Sequence, residues 1–423
     1  MKYHLPFIDT VYKYLVFNID VRTKMSSFNL KFETVFKITM TSLRLNGSHP
    51  DMPRNVFWVA QSSILLVLSL LSFLFLSNSF LLYDVKSGNY MEASKNGTMA
   101  IVALTITYKY VILLYRRKNI QNLIVTIDAD YEAAKEFTVD EQAIVEKYAM
   151  KGVTVCRFWL VAGSATSFIF PIKAFVLMFY YLIIQEEEKL IPMFDMTYPG
   201  TMERDKNLVP IFCLLFFLCL LFDCFATTMY IGFDPLVPIF MLHTCGQLDL
   251  LSHRIIKIFT ENDNPRIIEE KLKLIVLKLQ ELYRFVDLVK SYFSILFEYN
   301  MKTTTFIMPL TAFQILEALR RGQLNLEFTS FFIGYILHFY MPCYYSDLLI
   351  EKVSNQAFRQ SIYSCGWEKK PDKRLRQMIL FMMTRASQKL GITTVFYAIC
   401  LNTFAEMCRQ SYAIFNLMNA AWS

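Results

Sequence analysis

The chain carries no glycine-rich phosphate loop, no nucleophile elbow and no zincin pattern, so the usual sequence marks of nucleotide, acyl-transfer and zinc-hydrolase chemistry are missing. No internal repeat or low-complexity stretch is visible. A basic groove with interleaved aromatics is also absent, which removes nucleic acid as a partner despite a net charge of +7. The N-terminus offers no signal peptide, because Asp9, Lys13 and Asp20 interrupt any apolar stretch there; the chain is expected to insert through its own first span and to keep its N-terminus cytoplasmic. The nine cysteines fall within expected spans, at their ends or on the inner side, so no external disulfide framework is implied. No cofactor is expected.

What is present is apolar. With 55% hydrophobic and 16% aromatic residues and a positive mean hydropathy, the chain belongs with all-α, multi-span membrane proteins whose partner is the lipid bilayer. Seven spans are expected, at 56 to 83, 99 to 115, 155 to 184, 208 to 242, 291 to 318, 328 to 350 and 392 to 418. They form a membrane domain over 55–418. Pro171, Pro235, Pro238, Pro309 and Pro342 should bend four of them. Residues 1–54 read as a cytoplasmic segment with a short membrane-surface helix, whose apolar positions include Phe7, Val11, Leu15 and Phe17, and 419–423 as a short extracellular tail. Twenty-nine of the 43 Lys and Arg residues lie in the segments that are inside if the N-terminus is inside, against seven in the outer loops. The positive-inside rule therefore sets the N-terminus in and the C-terminus out. On that topology the sequon at Asn96 lies outside and should be glycosylated, while Asn46 lies inside and should stay bare.

The inner connections keep helical spacing, as Leu272, Ile275, Leu279, Leu282, Phe285, Val286 and Val289 do, so 116–154, 243–290 and 351–390 are expected to project as an intracellular anchor base. The last fifty residues organise the rest. Leu375, Met378, Ile379, Met382, Ala386 and Leu390 give an amphipathic helix, with Arg376, Arg385 and Lys389 between them, that should run without a break into the final span. In that span Asn402, Glu406, Arg409, Ala413 and Asn416 form one polar stripe. It reads either as a packing seam held by a Glu406 to Arg409 pair or as a water-lined conduction path.

Chemistry-bearing clusters are few. His243, Cys245, Asp249 and His253 include metal-capable side chains, but His243 lies on a differently oriented face, which favours a hydrogen-bond network over a metal site. Glu298 and Lys302 should pair at four-residue spacing, and Lys173 should snorkel or meet Glu317 or Glu186. Aromatics gather at one depth: Phe168, Phe170, Phe175 and Phe179, then Phe212 and Phe216, then Phe328, Phe331, Phe332 and Tyr335. Packing accounts for most of them. The remainder, with Ser164, Ser167 and Tyr335 as polar handles, suits an apolar pocket for small hydrophobic molecules; Ser164, Ser167, Phe168, Phe212, Phe216, Phe332 and Tyr335 are its expected lining.

The ending, Thr403-Phe404 followed by Arg409-Gln410-Ser411-Tyr412-Ala413-Ile414-Phe415-Asn416-Leu417-Met418, resembles the closing pattern of insect odorant receptors. The run from Lys373 to Leu390 resembles the helix before that family's last span, and His243 to Leu251 its segment after the fourth. The resemblance implies a tetrameric odorant-gated, non-selective cation channel in the plasma membrane of a sensory neuron dendrite, not an enzyme, with a central pore lined by the last helix. It also implies a small volatile odorant as ligand and an olfactory co-receptor as partner in a heterotetramer, since the short 243–290 loop marks a ligand-tuning subunit. Phe415, Asn416 and Asn419 are the expected pore residues, giving an apolar constriction beside polar rims. A gustatory-type receptor channel is the nearest alternative, without its Thr-Tyr and Gln-Phe ending. A secondary transporter should show paired broken helices, and a membrane enzyme converging acid, base or metal residues; neither is visible.

Overall fold

In the computed structural model, residues 28–186, 188–262, 264–352, 357–370, 372–388 and 390–422 are described. The chain starts with two short helices, α1 (Phe32–Val35) and α2 (Lys37–Leu45). Phe32, Phe36, Met40 and Leu43 recur every three or four residues and are all buried, Phe32 lying edge-on to Phe36 at 4.7 Å. Two glycines admit this segment: a Cβ at Gly152 would meet the Phe36 ring at 2.7 Å, and one at Gly232 would meet Leu43 at 2.9 Å. The described part of the N-terminal segment, from residue 28, is therefore a plug in the helical core. Phe7, Val11, Leu15 and Phe17 lie outside the described residues.

The bundle follows as α3 (Val56–Asn78, extended by a π-helical turn over Ser79–Asp84), α4 (Tyr90–Ala133) and α5 (Val139–Ile184). A short α6 (Thr201–Asp205) leads into α7 (Val209–Phe233) and α8 (Leu236–Glu261). Then come α9 (Pro265–Arg320), α10 (Leu326–Ile350), α11 (Ala357–Tyr363), α12 (Lys373–Ala386) and α13 (Leu401–Trp422). No strand forms among the described residues, and the molecule is a seven-helix membrane bundle. Among the described residues four helical stretches, Val56–Asp84, Tyr90–Glu136, Val139–Ile184 and Val209–Glu261, are long and apolar enough to cross a membrane on length and composition alone. The other three are less apolar and lean on packing, α9 lying against α4, α8, α10 and α13.

The start and stop signals are local. Thr138 and Glu141 form a capping box for α5, and Asn264 caps α9 with Pro265 in its first turn. Pro235 separates α7 from α8, whereas Pro171, Pro309 and Pro342 sit inside helices that continue past them. With 56 residues, α9 extends ~84 Å, far more than a ~30 Å hydrocarbon core, so it runs on into a base shared with α4, α5, α8 and α12. Ion pairs stitch that base. Asp130 pairs with His243 at 2.9 Å and with Lys278, Asp249 with Lys352 at 2.8 Å, and Arg254 with Glu141 at 2.8 Å. Tyr148 donates to Asp249 at 2.5 Å. The His243, Cys245, Asp249, His253 group is thus dispersed, with its first and third members spent on different helices.

The run into the last helix is broken, contrary to expectation. α12 stops at Ala386, and 392–400 forms a tight loop in which Thr394 N donates to Tyr397 O at 2.7 Å and Ile399 N to Ile392 O at 2.9 Å. Thr394 Oγ1 accepts from the backbone N–H of Phe396 and Tyr397, a local bond that competes with helix in this β-branched stretch. Gly391 is pressed on Ile350, where a Cβ would come within 2.7 Å. Lys389 lies outside the described residues. At the other end, α13 continues to Trp422, which stacks on Tyr90 at 5.1 Å and meets Phe313 at 5.3 Å, so 419–422 is packed helix and not a free tail.

Candidate functional site: a cavity between four helices

A cavity of about 80 Å³ opens between α4, α5, α7 and α10, on the measure by which one water needs ~10–15 Å³. Helical spacing builds each wall. Trp159, Gly163, Ser167 and Phe170 line it from α5, Asp223, Thr227 and Tyr230 from α7, and Phe331, Tyr335 and His338 from α10. Phe194, from the connection between α5 and α7, closes it and packs on Phe170 with ring centres 5.0 Å apart. In that connection Met193, Phe194, Met196 and Tyr198 are all buried, so it acts as a seated lid.

The polar groups fall into two sets. In the first, Ser167 Oγ donates to Asp223 Oδ1 at 3.1 Å and is also bonded to Thr227. In the second, the hydroxyls of Tyr230 and Tyr335 meet at 3.0 Å, and both rings lie within 6 Å of the His338 ring. Behind His338 lies a buried ion cluster. Lys109 Nζ is 2.7 Å from Asp234 Oδ1 and 2.7 Å from His338 Nε2, and His338 Nε2 is 3.3 Å from Asp234 Oδ2. The Lys109 side chain is completely enclosed and also lies over the Tyr230 ring at 4.6 Å.

Of the expected lining, the structure brings Ser167 and Tyr335 into this cavity. Phe168 is not there: it is 61% exposed on the outward face of α5, one residue and about 100° round the helix from Ser167. Phe212 and Phe216 line a second cavity of about 150 Å³ under the same lid, beside Tyr198 and Cys219. Ser164 and Phe332 are half-buried and line neither cavity. Trp159, Asp223, Tyr230 and His338 were not singled out from the sequence. An acid and a histidine inside strongly apolar spans were the available signal for two of them.

Other expectations resolve as follows. Lys302 sits 3.2 Å from Glu298, and Arg409 2.5 Å from Glu406. Lys173 meets Glu327 at 2.9 Å instead of Glu317 or Glu186. Asn96 is 2% exposed inside α4, donating to Asp84 at 2.8 Å and to Ser79 at 3.1 Å. Asn46 is buried as well. On α13, Asn402, Glu406, Arg409, Ala413 and Asn416 all lie on an exposed face. Phe415 and Asn419 are half-buried beside it, Asn419 accepting from Arg320 at 3.1 Å. In the base, an open groove of about 950 Å³ runs between α9 and α12, and Leu277, Leu380 and Phe381 stand exposed along it or next to it.

Residues 89–412 match the family described as 7tm Odorant receptor. Odorant receptor 13a of Drosophila melanogaster is 26% identical over 217 residues, which are 47% of this chain and 50% of that protein, so the match spans about half the length of that relative. The insect olfactory receptor OR5 from Machilis hrabei in complex with eugenol superposes with a TM-score of 0.70 at 16% identity, over 92% of this chain and 98% of that one. The structure of the same receptor without that ligand in its description gives a TM-score of 0.67, also at 16% identity, over 91% and 96%.

Proposed function

Because the chain belongs to the 7tm odorant receptor family and is not an enzyme, we propose that it is the ligand-tuning subunit of an odorant-gated, non-selective cation channel in the plasma membrane of a sensory neuron dendrite. The observation that carries this reading is the cavity between α4, α5, α7 and α10: enclosed, aromatic-walled and furnished with few polar groups, as small-molecule sites are. Occupancy would be felt beyond the walls, since Tyr335 and His338 sit on α10, which packs against both α9 and α13. The exposed polar face of α13, from Asn402 through Asn416, suits a water-filled axis shared by several subunits, with Phe415, Asn416 and Asn419 near its end.

A lone copy leaves that face, and the apolar groove between α9 and α12, uncovered. We assign the groove to contact with a co-receptor subunit in a heterotetramer, with the base, the N-terminus and 116–154, 243–290 and 351–390 inside the cell. Support comes from Leu277, Leu380 and Phe381, whose exposure in an otherwise paired base fits a subunit contact. The test is electrical. Cells expressing this chain with a co-receptor should pass cation current within milliseconds of odorant exposure, without added nucleotide or G protein. Robust odorant currents from this chain alone would remove the obligatory partner, and no current with any partner would remove the channel reading.

A further inference from the structure

We propose that Asp223 tunes the cavity to ligands that present a hydroxyl or amine hydrogen at one end of a small apolar body, against ethers, ketones and hydrocarbons of the same size. This deepens the receptor reading and rests on it for the identity of the site.

The observations are local. Asp223 lies within α7, whose sequence from Val209 to Phe233 is otherwise almost wholly apolar, and it faces the cavity. Its Oδ1 accepts from Ser167 at 3.1 Å. Among the described residues neither carboxylate oxygen takes another hydrogen bond from a side chain, and no Lys, Arg or His pairs with it. Among the described residues, three other acids within the bundle each have a cation or a donor pair beside them: Asp234 has Lys109, Glu298 has Lys302, and Asp84 has Asn96 and Ser79. A carboxylate in a low-dielectric site that holds only one hydroxyl is short of donors, and the ligand is the one component still to arrive.

The neighbours shape what can supply that donor. Ser167 and Thr227 are bonded to each other and to the α7 segment, Ser167 on Oδ1, which leaves Oδ2 for the ligand. The walls are rings, Trp159, Phe170, Phe222, Tyr230, Phe331 and Tyr335, which accept an alkyl or aryl body and also favour a cation over their faces. An amine that takes the carboxyl proton forms a charge-assisted pair, roughly twice as strong as a neutral hydrogen bond, and an alcohol supplies a neutral one. A site built around such an acceptor discriminates against an analogue lacking the hydrogen far more than against one differing by a methylene, because the acceptor is then left unpaired.

The experiment uses four probes of one size, 1-hexanol, hexylamine, methyl pentyl ether and 2-hexanone. Each is measured by current in cells expressing the full chain with a co-receptor, and by thermal stabilisation of the full purified chain in detergent. The wild type should respond to hexanol and hexylamine at about tenfold lower concentration than to the ether and ketone, in both measurements. Asp223→Asn should compress that ratio to within about threefold, mostly by loss of hexylamine, while Asp223→Glu keeps it and Ser167→Ala, which frees Oδ1, keeps or widens it. Equal response to all four probes by the wild type, or a ketone preference, would overturn the proposal, as would an unchanged ratio in Asp223→Asn. Thermal discrimination without current supports the site and removes only the channel reading. If Asp223→Asn fails to fold, the glutamate and Ser167→Ala variants decide: a lost preference in either overturns the assignment.

Discussion

Asp223 and Asp234 stand about three helical turns apart at the two ends of one apolar stretch, and their surroundings are opposite. Asp234 is sealed in with Lys109 and His338, both within 3.3 Å, and the lysine has no exposure at all. Asp223 faces the cavity and has a single serine hydroxyl. The same side chain on the same strip of sequence is a closed structural joint in one place and an open acceptor in the other. What differs is whether α4 and α10 bring donors to it. His338 belongs to both settings, since it bonds the ion cluster and lines the cavity. A ligand that shifts the α10 wall therefore acts on the joint between α4, α7 and α10.

The comparison can be broken most sharply at Lys109. Lys109→Met leaves Asp234 buried beside a lone histidine, and should cost about 3–5 kcal/mol, seen as a large drop in the unfolding temperature of the purified chain and in surface expression. Adding Asp234→Asn should recover part of the loss; no recovery in the double variant would mean that the two groups do not form one unit. Next in size is Tyr335→Phe, which removes the 3.0 Å bond to Tyr230 and should cost ~0.5–1.5 kcal/mol of stability while shifting ligand potency severalfold. Potency that does not move would detach the tyrosine pair from the ligand.

Asp223→Asn should be milder for the fold, within about 1 kcal/mol by thermal unfolding, because the amide keeps an acceptor for Ser167. A loss as large as that of Lys109→Met would show that Asp223 is a joint after all and erase the contrast. Phe168→Ala should be smaller again, within ~0.5 kcal/mol and with no change in ligand potency, since that ring lies outside the cavity. Smallest is the null expected at Asn96. Endoglycosidase should leave the mobility of the wild-type chain unchanged; a shift that disappears in Asn96→Gln would mean that α4 opens there before Asp84 captures the amide.

Much of the architecture was legible because a bilayer imposes it. Apolar length sets a span, and proline and capping residues set its ends: Pro235 divides α7 from α8, and Thr138 and Glu141 start α5. The break before α13 was less legible. Leu375 to Ala386 is helical as its spacing suggests, but Gly391 pressed on Ile350 and Thr394 bonded to its own loop depend on α10 being alongside. The cavity shows the same limit. Aromatic content at one depth marked three of the four helices that line the cavity, yet hydrophobicity cannot say which face of an all-apolar helix meets lipid and which meets protein, because both environments accept the same side chains.

The sequence by itself determined an all-helical membrane chain, the helical spacing of its long inner connections and the Glu298 to Lys302 pair, all of them consequences of composition and short-range spacing. Tertiary structure alone decided that Phe168 faces out while Ser167 faces in, that Asn96 donates to Asp84, that Lys173 reaches Glu327, and that Lys109 closes on Asp234 and His338 while Asp223 faces the cavity. The physical reason is that charges and hydrogen-bonding groups inside a membrane must find partners over distances of one or two helix diameters, and those partners lie up to 229 positions away in the chain.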